Sequence, residues 1–256
     1  MIAPLRVFIT GASSGLGEAL ARHYAAQGAV LGLVARRGHQ LVPLCGQLRH
    51  ARAYPLNVCD STAMQAAAAD FIAHVGVPDI VIAAAGISVG TLTQYAEDLP
   101  VFQAVMNTNV LGTVTTFQPF IEPMRAARSG VLVGIGSIAG MRGLPGGSAY
   151  SASKAALIIY LESLRVELIG SGVQVTTINP GYISTAMTAV NPYRMPFIMS
   201  PERAAAKIAR IVGKRQRYVN IPWQMAVIAP LLRVLPRPLY DRWFAHAPHK
   251  PRQLPL

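Results

Sequence analysis

Cysteine is scarce in this sequence, which holds only Cys45 and Cys59. Neither belongs to a CxxC pair or to a Cys/His pattern of the kind that binds zinc. We therefore expect no metal site. Both residues fall in segments with helix or strand character, so reduced thiols in a cytoplasmic protein are the simplest interpretation.

Long apolar runs, linkers and internal repeats are also missing. No run reaches the roughly 20 apolar residues that a membrane-spanning helix needs. The first strand candidate begins by Leu5, too early for a signal peptide. Because 52 % of the 256 residues are apolar and 13 % are charged, the chain can bury a large core, and we expect one domain rather than disorder.

Acidic residues are few, with 11 Asp/Glu against 23 Lys/Arg and a formal net charge of +12. The excess is concentrated in residues 202–256, which hold 11 Lys/Arg and 2 Asp/Glu. Such a segment suits anionic lipid, nucleic acid or a phosphate ligand, and a solvated basic surface is an equally simple interpretation. No recognised nucleic-acid module occurs, so we expect no nucleic-acid partner.

Short β-branched runs alternate with longer Ala/Leu-rich stretches along the chain. Near-continuous apolar strands between helices are typical of a parallel sheet covered on both faces, with ligands beyond the carboxyl ends of its strands. The pattern predicts strands over residues 5–10, 30–35, 52–56, 80–85, 131–136, 173–179 and 217–221. It predicts helices over residues 16–27, 40–50, 62–75, 99–108, 110–127, 150–169 and 201–212.

A glycine-rich turn joins the first predicted strand to the first helix. Its glycines follow the spacing TGxxxGxG, which permits a tight turn, close approach of a pyrophosphate and close helix–strand packing. The helix N-terminus adds N–H groups and partial positive charge. A purely structural turn is the alternative. The dinucleotide contacts predicted here are Gly11, Ser13, Ser14, Gly15, Leu16 and Gly17.

The end of the second strand indicates which dinucleotide binds. An acidic residue there would bind the ribose hydroxyls of NAD, whereas this chain has Arg36 and Arg37. Guanidinium groups suit a ribose 2′-phosphate. We therefore predict NADP(H), and two surface arginines that never reach the cofactor are the alternative.

Tyr150 and Lys154 lie four residues apart on a predicted helix and so share one face. A free tyrosine has a pKa of about 10, and a nearby ammonium lowers it. A tyrosine tuned in this way can exchange a proton with an alcohol or carbonyl oxygen near neutral pH. Ser137 follows a predicted strand and is placed to hold the substrate oxygen. An ordinary helix-face pair and a turn serine are the alternatives.

The order of these motifs, ending in Pro180-Gly181, resembles the short-chain dehydrogenase/reductase family from about Leu5 to Asn220. The resemblance implies a doubly wound, Rossmann-type α/β three-layer sandwich with a seven-stranded parallel sheet. It also implies a nicotinamide cofactor, with Tyr150 as general acid/base. The implied roles of the other catalytic residues are a substrate-oxygen donor for Ser137, ribose contact and pKa modulation for Lys154, and a proton-relay water held by Asn109. The alternative for Asn109 is that its side chain forms hydrogen bonds that stabilise a distorted helix turn. The same residue can fill both roles.

The resemblance also implies further cofactor contacts and shows two departures. The family's asparagines before Gly86 are replaced here by Ala83-Ala84-Ala85, which removes side-chain bonds that brace the sheet. The aspartate at the end of the third strand is replaced by Asn57, whose amide oxygen can still accept from adenine. The further contacts implied are Asn57, Val58, Ala85, Gly86, Pro180, Gly181, Ile183 and Thr185.

Residues 184–200 lie where the family places its mobile substrate loop. Methionines and aromatics form an adaptable apolar lining, so we expect an apolar or bulky carbonyl substrate; ordinary loop-to-core packing is the alternative. The predicted lining residues are Met187, Pro192, Tyr193, Met195, Pro196, Phe197 and Met199, with Met141 and Leu144 extending the wall.

The chain beyond Ile221 is interpreted as a basic, apolar C-terminal extension (residues 222–256) of a catalytic domain (residues 1–221). It is interrupted by Pro230, and its aromatics then recur at helical spacing among arginines. This composition suits a membrane interface, a subunit contact or a flap over the substrate opening.

These observations together predict an NADP(H)-dependent carbonyl reductase or alcohol dehydrogenase. The cellular supply of NADPH favours reduction, and the residues themselves allow both directions. The resemblance favours a homodimer or homotetramer. A non-catalytic dinucleotide-binding or sensing module on the same fold is the alternative. Among enzymes, an isomerase or dehydratase is also compatible with this fold. Localisation is expected to be cytoplasmic, with membrane association through the tail left open.

Overall fold

The computed structural model describes residues 3–253 and contains a seven-stranded, wholly parallel sheet in the order β3-β2-β1-β4-β5-β6-β7. This confirms the predicted doubly wound fold. The order reverses between β1 and β4, and ligands of such sheets bind in the crevice at that point. The strands are β1 (Arg6–Thr10), β2 (Val30–Ala35), β3 (Ala51–Pro55), β4 (Ile80–Ala83), β5 (Gly130–Ile135), β6 (Val173–Pro180) and β7 (Tyr218–Ile221).

Helices cover both faces of the sheet. A π-helical turn over Asn107–Leu111 joins α4 to α5, where the sequence predicts a break between two helices. The helices are α1 (Gly15–Ala26), α2 (Gly38–Gln47), α3 (Ser61–Val75), α4 (Leu99–Met106), α5 (Gly112–Ala126), α6 (Ser148–Glu167), α7 (Ala186–Ala189), α8 (Pro201–Gly213), α9 (Trp223–Val234) and α10 (Arg237–Phe244).

Two apolar layers hold the helices to the sheet. Successive strand residues point to opposite faces, so Ile9 packs in the layer under α1 and α8 while its neighbour Phe8 packs in the layer under α3, α5 and α6. Phe8 and Phe71 are fully buried there. Their rings lie edge to face, with centroids 5.4 Å apart. The double-sided burial explains why the strand sequences are almost continuously apolar.

Most predicted segments end within one to three residues of the observed elements, and two expectations, the end of the fourth strand and the break at Pro230, are corrected by the structure. Strand β4 ends at Ala83 rather than at residue 85. Its pairing with β1 stops where β1 ends at Thr10, and Ala85 instead packs against Gly11 of the turn that follows β1. Pro230 does not interrupt the tail, since α9 runs through it. A proline removes one helical hydrogen bond, and both Pro230 and Ala226 are exposed, so water can satisfy the freed carbonyl.

The C-terminal extension packs on the loop that follows β5. The Arg142 guanidinium donates to the carbonyls of Leu232 (3.0 Å) and Leu235 (2.9 Å) and lies 4.1 Å from the Tyr240 ring centroid. The Tyr240 hydroxyl donates to the Gly143 carbonyl at 2.6 Å. Helix α10 therefore rests on Arg142 and Gly143. Among the helices described, none combines the length and apolar character needed to cross a membrane.

Candidate active site

The glycine-rich turn after β1 has a backbone that only glycine accommodates well. Gly11 and Gly15 have φ values of +72° and +56°, in the left-handed region. A Cβ on Gly11 would lie 2.7 Å from the Cα and N atoms of Ala85. A Cβ on Gly17 would overlap the Gly11 carbonyl. The turn is thus packed against the end of β4 and leaves its outer side to a ligand.

The N-terminus of α1 has the character of an anion site. Ser14 is the N-cap residue in an extended conformation, yet its hydroxyl makes no capping bond to the helix. The N–H groups of the first turn are therefore available to a phosphate. The Ser14 hydroxyl instead accepts from Arg37 at 2.6 Å, and Arg37 also lies 3.2 Å from the Ser13 hydroxyl. Arg37 is thus held over the glycine turn.

A cavity of about 850 Å³ runs along the carboxyl ends of the strands, from Arg36 and Arg37 to the Ser137–Tyr150 region. It brings together most of the residues singled out in the sequence. Those that line it are Gly11, Ser13, Ser14, Gly15, Leu16, Gly17, Arg36, Arg37, Val58, Ala85, Gly86, Ser137, Tyr150, Lys154, Pro180, Gly181, Ile183 and Thr185.

Asn57 does not reach the cavity. Its side chain is exposed, and its amide oxygen accepts from the backbone N–H of Cys59 at 3.1 Å. This bond closes a turn before α3, a common use of asparagine after a strand. The neighbouring Val58 lines the cavity in its place.

Ser137 lies at the end of β5 and is 8 % exposed. Its hydroxyl oxygen accepts from the backbone N–H of Ala139 at 3.1 Å. Gly136, the residue before it, donates its N–H to the Ile178 carbonyl of β6 at 2.7 Å. The serine is therefore held by backbone on both sides, and its hydroxyl lies beside the Tyr150 phenol at the cavity.

Lys154 is buried one helical turn after Tyr150. Its Nζ donates to the Ile135 carbonyl at 2.8 Å and lies 5.7 Å from the Tyr150 ring centroid. Burial lowers the pKa of the Lys154 ammonium to about 8, because desolvation disfavours the charged form.

The pKa of Tyr150 is raised from its ordinary value, opposite to the direction predicted from its spacing to Lys154. Desolvation of the phenol is the largest cause, and a hydrogen bond with the Ser137 hydroxyl offsets it in part. The phenol therefore carries its proton at neutral pH. This protonation state is the one required of a general acid.

Asn109 is fully buried behind the cavity wall and does not line it. Its side-chain oxygen accepts from the Ile87 N–H at 2.8 Å, and its amide donates to the Ile87 carbonyl at 3.0 Å and to the Ser153 hydroxyl at 2.9 Å. These bonds tie the loop after β4 to α6, beside Lys154. Ser153 gave no sequence signal, because its role depends on a residue 44 positions away. The relay water implied for Asn109 stays a prediction.

The cavity has a mixed apolar and hydroxyl lining, and few of the residues predicted for the substrate pocket belong to it. Met187 lines the cavity. Met199 is buried and pairs with Ile183, and the Tyr193 ring lies 6.4 Å from that of Tyr182. The other predicted residues that do not line the cavity are Met141, Leu144, Pro192, Met195, Pro196 and Phe197. Lining that the sequence analysis missed comes from Ile87, Ser88, Val89, Thr108, Thr188 and Val190.

The final segment, residues 245–253, crosses two of the loops that line this cavity. Lys250 donates to the Met187 carbonyl at 2.8 Å, and the Gly90 N–H donates to the Pro251 carbonyl at 2.9 Å. Arg252 bonds Asp98 at 2.7 Å, and its guanidinium lies 3.7 Å from the Tyr95 ring centroid. The segment therefore connects the loops that follow β4 and β6.

The residues present fit a nicotinamide dinucleotide. The glycine turn forms a cradle that side chains would fill, the α1 N-terminus offers free donors, and Arg36 and Arg37 supply positive charge at one end of the same cavity. Tyr150 and Ser137 line the other end. Within residues 3–253, no group of His, Cys, Asp and Glu side chains is arranged to hold a metal ion.

Comparison with known proteins agrees with this geometry. The family model for short chain dehydrogenases matches residues 6–194. An uncharacterised oxidoreductase of Myxococcus xanthus is 38 % identical over 239 residues, which span 91 % of this chain and 93 % of that protein. A ketoacyl reductase of Nostoc sp. is 33 % identical over 224 residues, 84 % of this chain and 77 % of that protein.

Solved structures show the same fold. An alcohol dehydrogenase from Thermococcus sibiricus, complexed with 5-hydroxy-NADP, superposes with a TM-score of 0.76 at 23 % identity. The alignment covers 86 % of this chain and 96 % of that one.

Proposed function

This chain belongs to the short-chain dehydrogenase family and is an NAD(P)-dependent oxidoreductase, and we propose that it works as an NADP(H)-dependent carbonyl reductase with Tyr150 as general acid/base. One observation supports the proposal above all others. Ser137, Tyr150 and Lys154 line the same cavity as the glycine turn and the arginine pair. The proposed catalytic unit is residues 1–221, with residues 222–256 as an extension of it.

The glycine-rich turn after β1 and positively charged side chains on both sides of that turn would hold the cofactor. Backbone N–H groups of the Gly11–Gly17 turn would bind the pyrophosphate. Arg36 and Arg37 would bind a ribose 2′-phosphate, which is why NADP(H) is proposed over NAD(H). Lys154 would contact the nicotinamide ribose. When bound, the dinucleotide supplies or accepts the hydride.

The chain's own residues handle the proton. The Ser137 hydroxyl donates to the substrate carbonyl oxygen and orients it toward Tyr150. As that oxygen gains negative charge, the Tyr150 phenol transfers its proton to it. The raised pKa of Tyr150 keeps the phenol protonated before this transfer, and the Lys154 ammonium stabilises the phenolate left afterwards.

The proposed substrate is an apolar or bulky carbonyl compound. Support comes from apolar side chains that line the same cavity as Tyr150, among them Ile87, Val89, Met187 and Val190. One relative is named a ketoacyl reductase, and a ketoacyl group carries its keto carbonyl on an acyl chain. We further propose a homodimer or homotetramer, as the family resemblance favours, and a cytoplasmic location, as the two free thiols suggest.

The test is NADPH oxidation with a panel of medium-chain ketones and small charged ketones. We expect turnover with the apolar ketones. The variant Tyr150→Phe should lose at least about 100-fold in kcat, the usual contribution of general acid catalysis, while NADPH binding measured by fluorescence is retained. A Tyr150→Phe enzyme as active as its parent would refute the role of the phenol. Turnover restricted to small charged ketones would refute the apolar pocket.

A further inference from the structure

Helix α9 presents an apolar stripe to solvent. Trp223, Val227, Leu231 and Val234 are between 55 % and 75 % exposed. They are spaced by three and four residues, so they share one side of the helix. Met225 and Ala229 are buried and hold the helix to the core by its other side.

Helix α10 repeats this arrangement over its shorter length. Leu239 and Trp243 are 45 % and 66 % exposed, and they lie four residues apart. Tyr240 and Phe244 stack on each other at 4.3 Å, and Tyr240 is buried on the protein side. The six exposed residues of the two helices, here called the tail face, are Trp223, Val227, Leu231, Val234, Leu239 and Trp243.

The two helices carry exposed positive charge with little to neutralise it. Arg233, Arg237 and Arg242 are exposed. Within the described part of the chain, none of the three forms an ion pair with a carboxylate. Asp241 is the one acidic residue of α9 and α10. The tail face is therefore apolar and bordered by arginines.

We propose that the tail face docks on an anionic lipid surface. Tryptophan and leucine beside arginine are the composition of helices that lie in a membrane interface, where the apolar side enters the acyl boundary and the cations meet phosphates. A second copy of this chain fits the face less well. A two-fold contact would place the same surface on both sides. It would therefore gather six arginines of the two copies in one interface, with only their two Asp241 carboxylates to offset them.

The position of the tail face relates it to the substrate side of the cavity. The two helices rest on the loop after β5, through the bond from Tyr240 of α10 to Gly143 and the bond from Arg142 to Leu235 at the end of α9. That loop connects Ser137 to Tyr150. A membrane surface on the tail face would thus lie beside the loop that bounds the catalytic residues. This docking goes beyond the proposed function and does not depend on it.

Vesicle flotation of the full-length protein tests the docking directly, without any measurement of turnover. Vesicles of phosphatidylcholine alone are compared with vesicles of phosphatidylcholine and phosphatidylserine, each at low and physiological salt. The variants are Trp223→Glu/Trp243→Glu and Arg237→Glu/Arg242→Glu. Matched controls are Ile169→Glu, at an exposed apolar residue elsewhere, and Arg203→Glu/Arg210→Glu on α8. Circular dichroism and thermal melting verify that each variant is folded.

We expect the parent to float with the phosphatidylserine vesicles, more weakly as salt increases. Reversing the two arginine charges should weaken binding by at least about 30-fold, and the tryptophan variant should lose it, while both controls float like the parent. The proposal is overturned if the parent stays unbound, or if both tail variants float like the parent. It is also overturned if the parent does not bind the vesicles and forms, in analytical ultracentrifugation, a dimer that the Trp223→Glu/Trp243→Glu variant does not form.

Discussion

Replacing Lys154 by methionine should abolish the enzyme's activity and make the stability of the cofactor-free protein less dependent on pH. The side chain is 5 % exposed, and its pKa falls from the ordinary 10.5 to about 8 in the folded state. The unfolded chain therefore binds more protons than the folded one between these two values. Stability rises with pH through that window.

The magnitude follows from the two pKa values. A depression from 10.5 to about 8 means that the buried ammonium destabilises the fold by about 3 kcal/mol at neutral pH. Linkage then gives a gain of about 2 kcal/mol for the parent between about pH 7.5 and 9.5. Lys154→Met has no such proton, so its unfolding free energy lacks this gain. The lost bond to the Ile135 carbonyl costs the variant about 1 kcal/mol or more, equally at both pH values.

Urea unfolding of the parent and Lys154→Met at the two pH values measures the effect. The difference between the two proteins should change by about 2 kcal/mol in favour of the parent as pH rises. Lys214→Met, at an exposed lysine, is the matched control and should show no such change. A parent–variant difference that is the same at both pH values would show that the Lys154 ammonium is not destabilised by burial.

Two further predictions concern the cofactor end of the cavity. Arg36→Asp should lower the ratio of kcat/KM with NADPH to kcat/KM with NADH at least about tenfold. The reason is that a carboxylate repels a 2′-phosphate and binds ribose hydroxyls. A parent enzyme that turns over NADH as well as NADPH would contradict this reasoning. Gly11→Ala should weaken NADPH binding at least about tenfold, because its Cβ would lie 2.7 Å from Ala85 at a φ that L-residues disfavour. Gly213→Ala is the control, because beyond its own helix nothing lies within 4 Å of the added Cβ. Equal NADPH affinity in both variants by fluorescence titration would refute the steric argument.

Local sequence pattern suffices to predict geometry where the residues concerned lie on one element or on adjacent elements. The glycine spacing at Gly11–Gly17 and the pair Tyr150 and Lys154 lie on adjacent or single elements, so their geometry follows from the turn and from the helical repeat. The apolar strands likewise predicted the parallel sheet, because burial on both faces leaves a continuous hydrophobic run. The ends of elements were predicted less well. Strand β4 shows why, because its last paired residue, Ala83, is fixed by the end of β1 at Thr10.

The parts that sequence reasoning missed depend on contacts between distant segments. Ser153 supports Asn109, and the apolar wall comes from Val89 and Val190 rather than from the predicted methionines and aromatics around residue 195. The sign of the Tyr150 pKa shift also required the fold, because desolvation depends on everything packed around the phenol.

The sequence by itself determined the fold class and the family, and it supplied the candidate residues for the chemistry, because those signals are local spacings on single elements. Only the tertiary structure decided which of them share one cavity, how far burial shifts each pKa, and where the C-terminal extension lies. Those properties depend on desolvation and packing between segments far apart in the chain, which no spacing records.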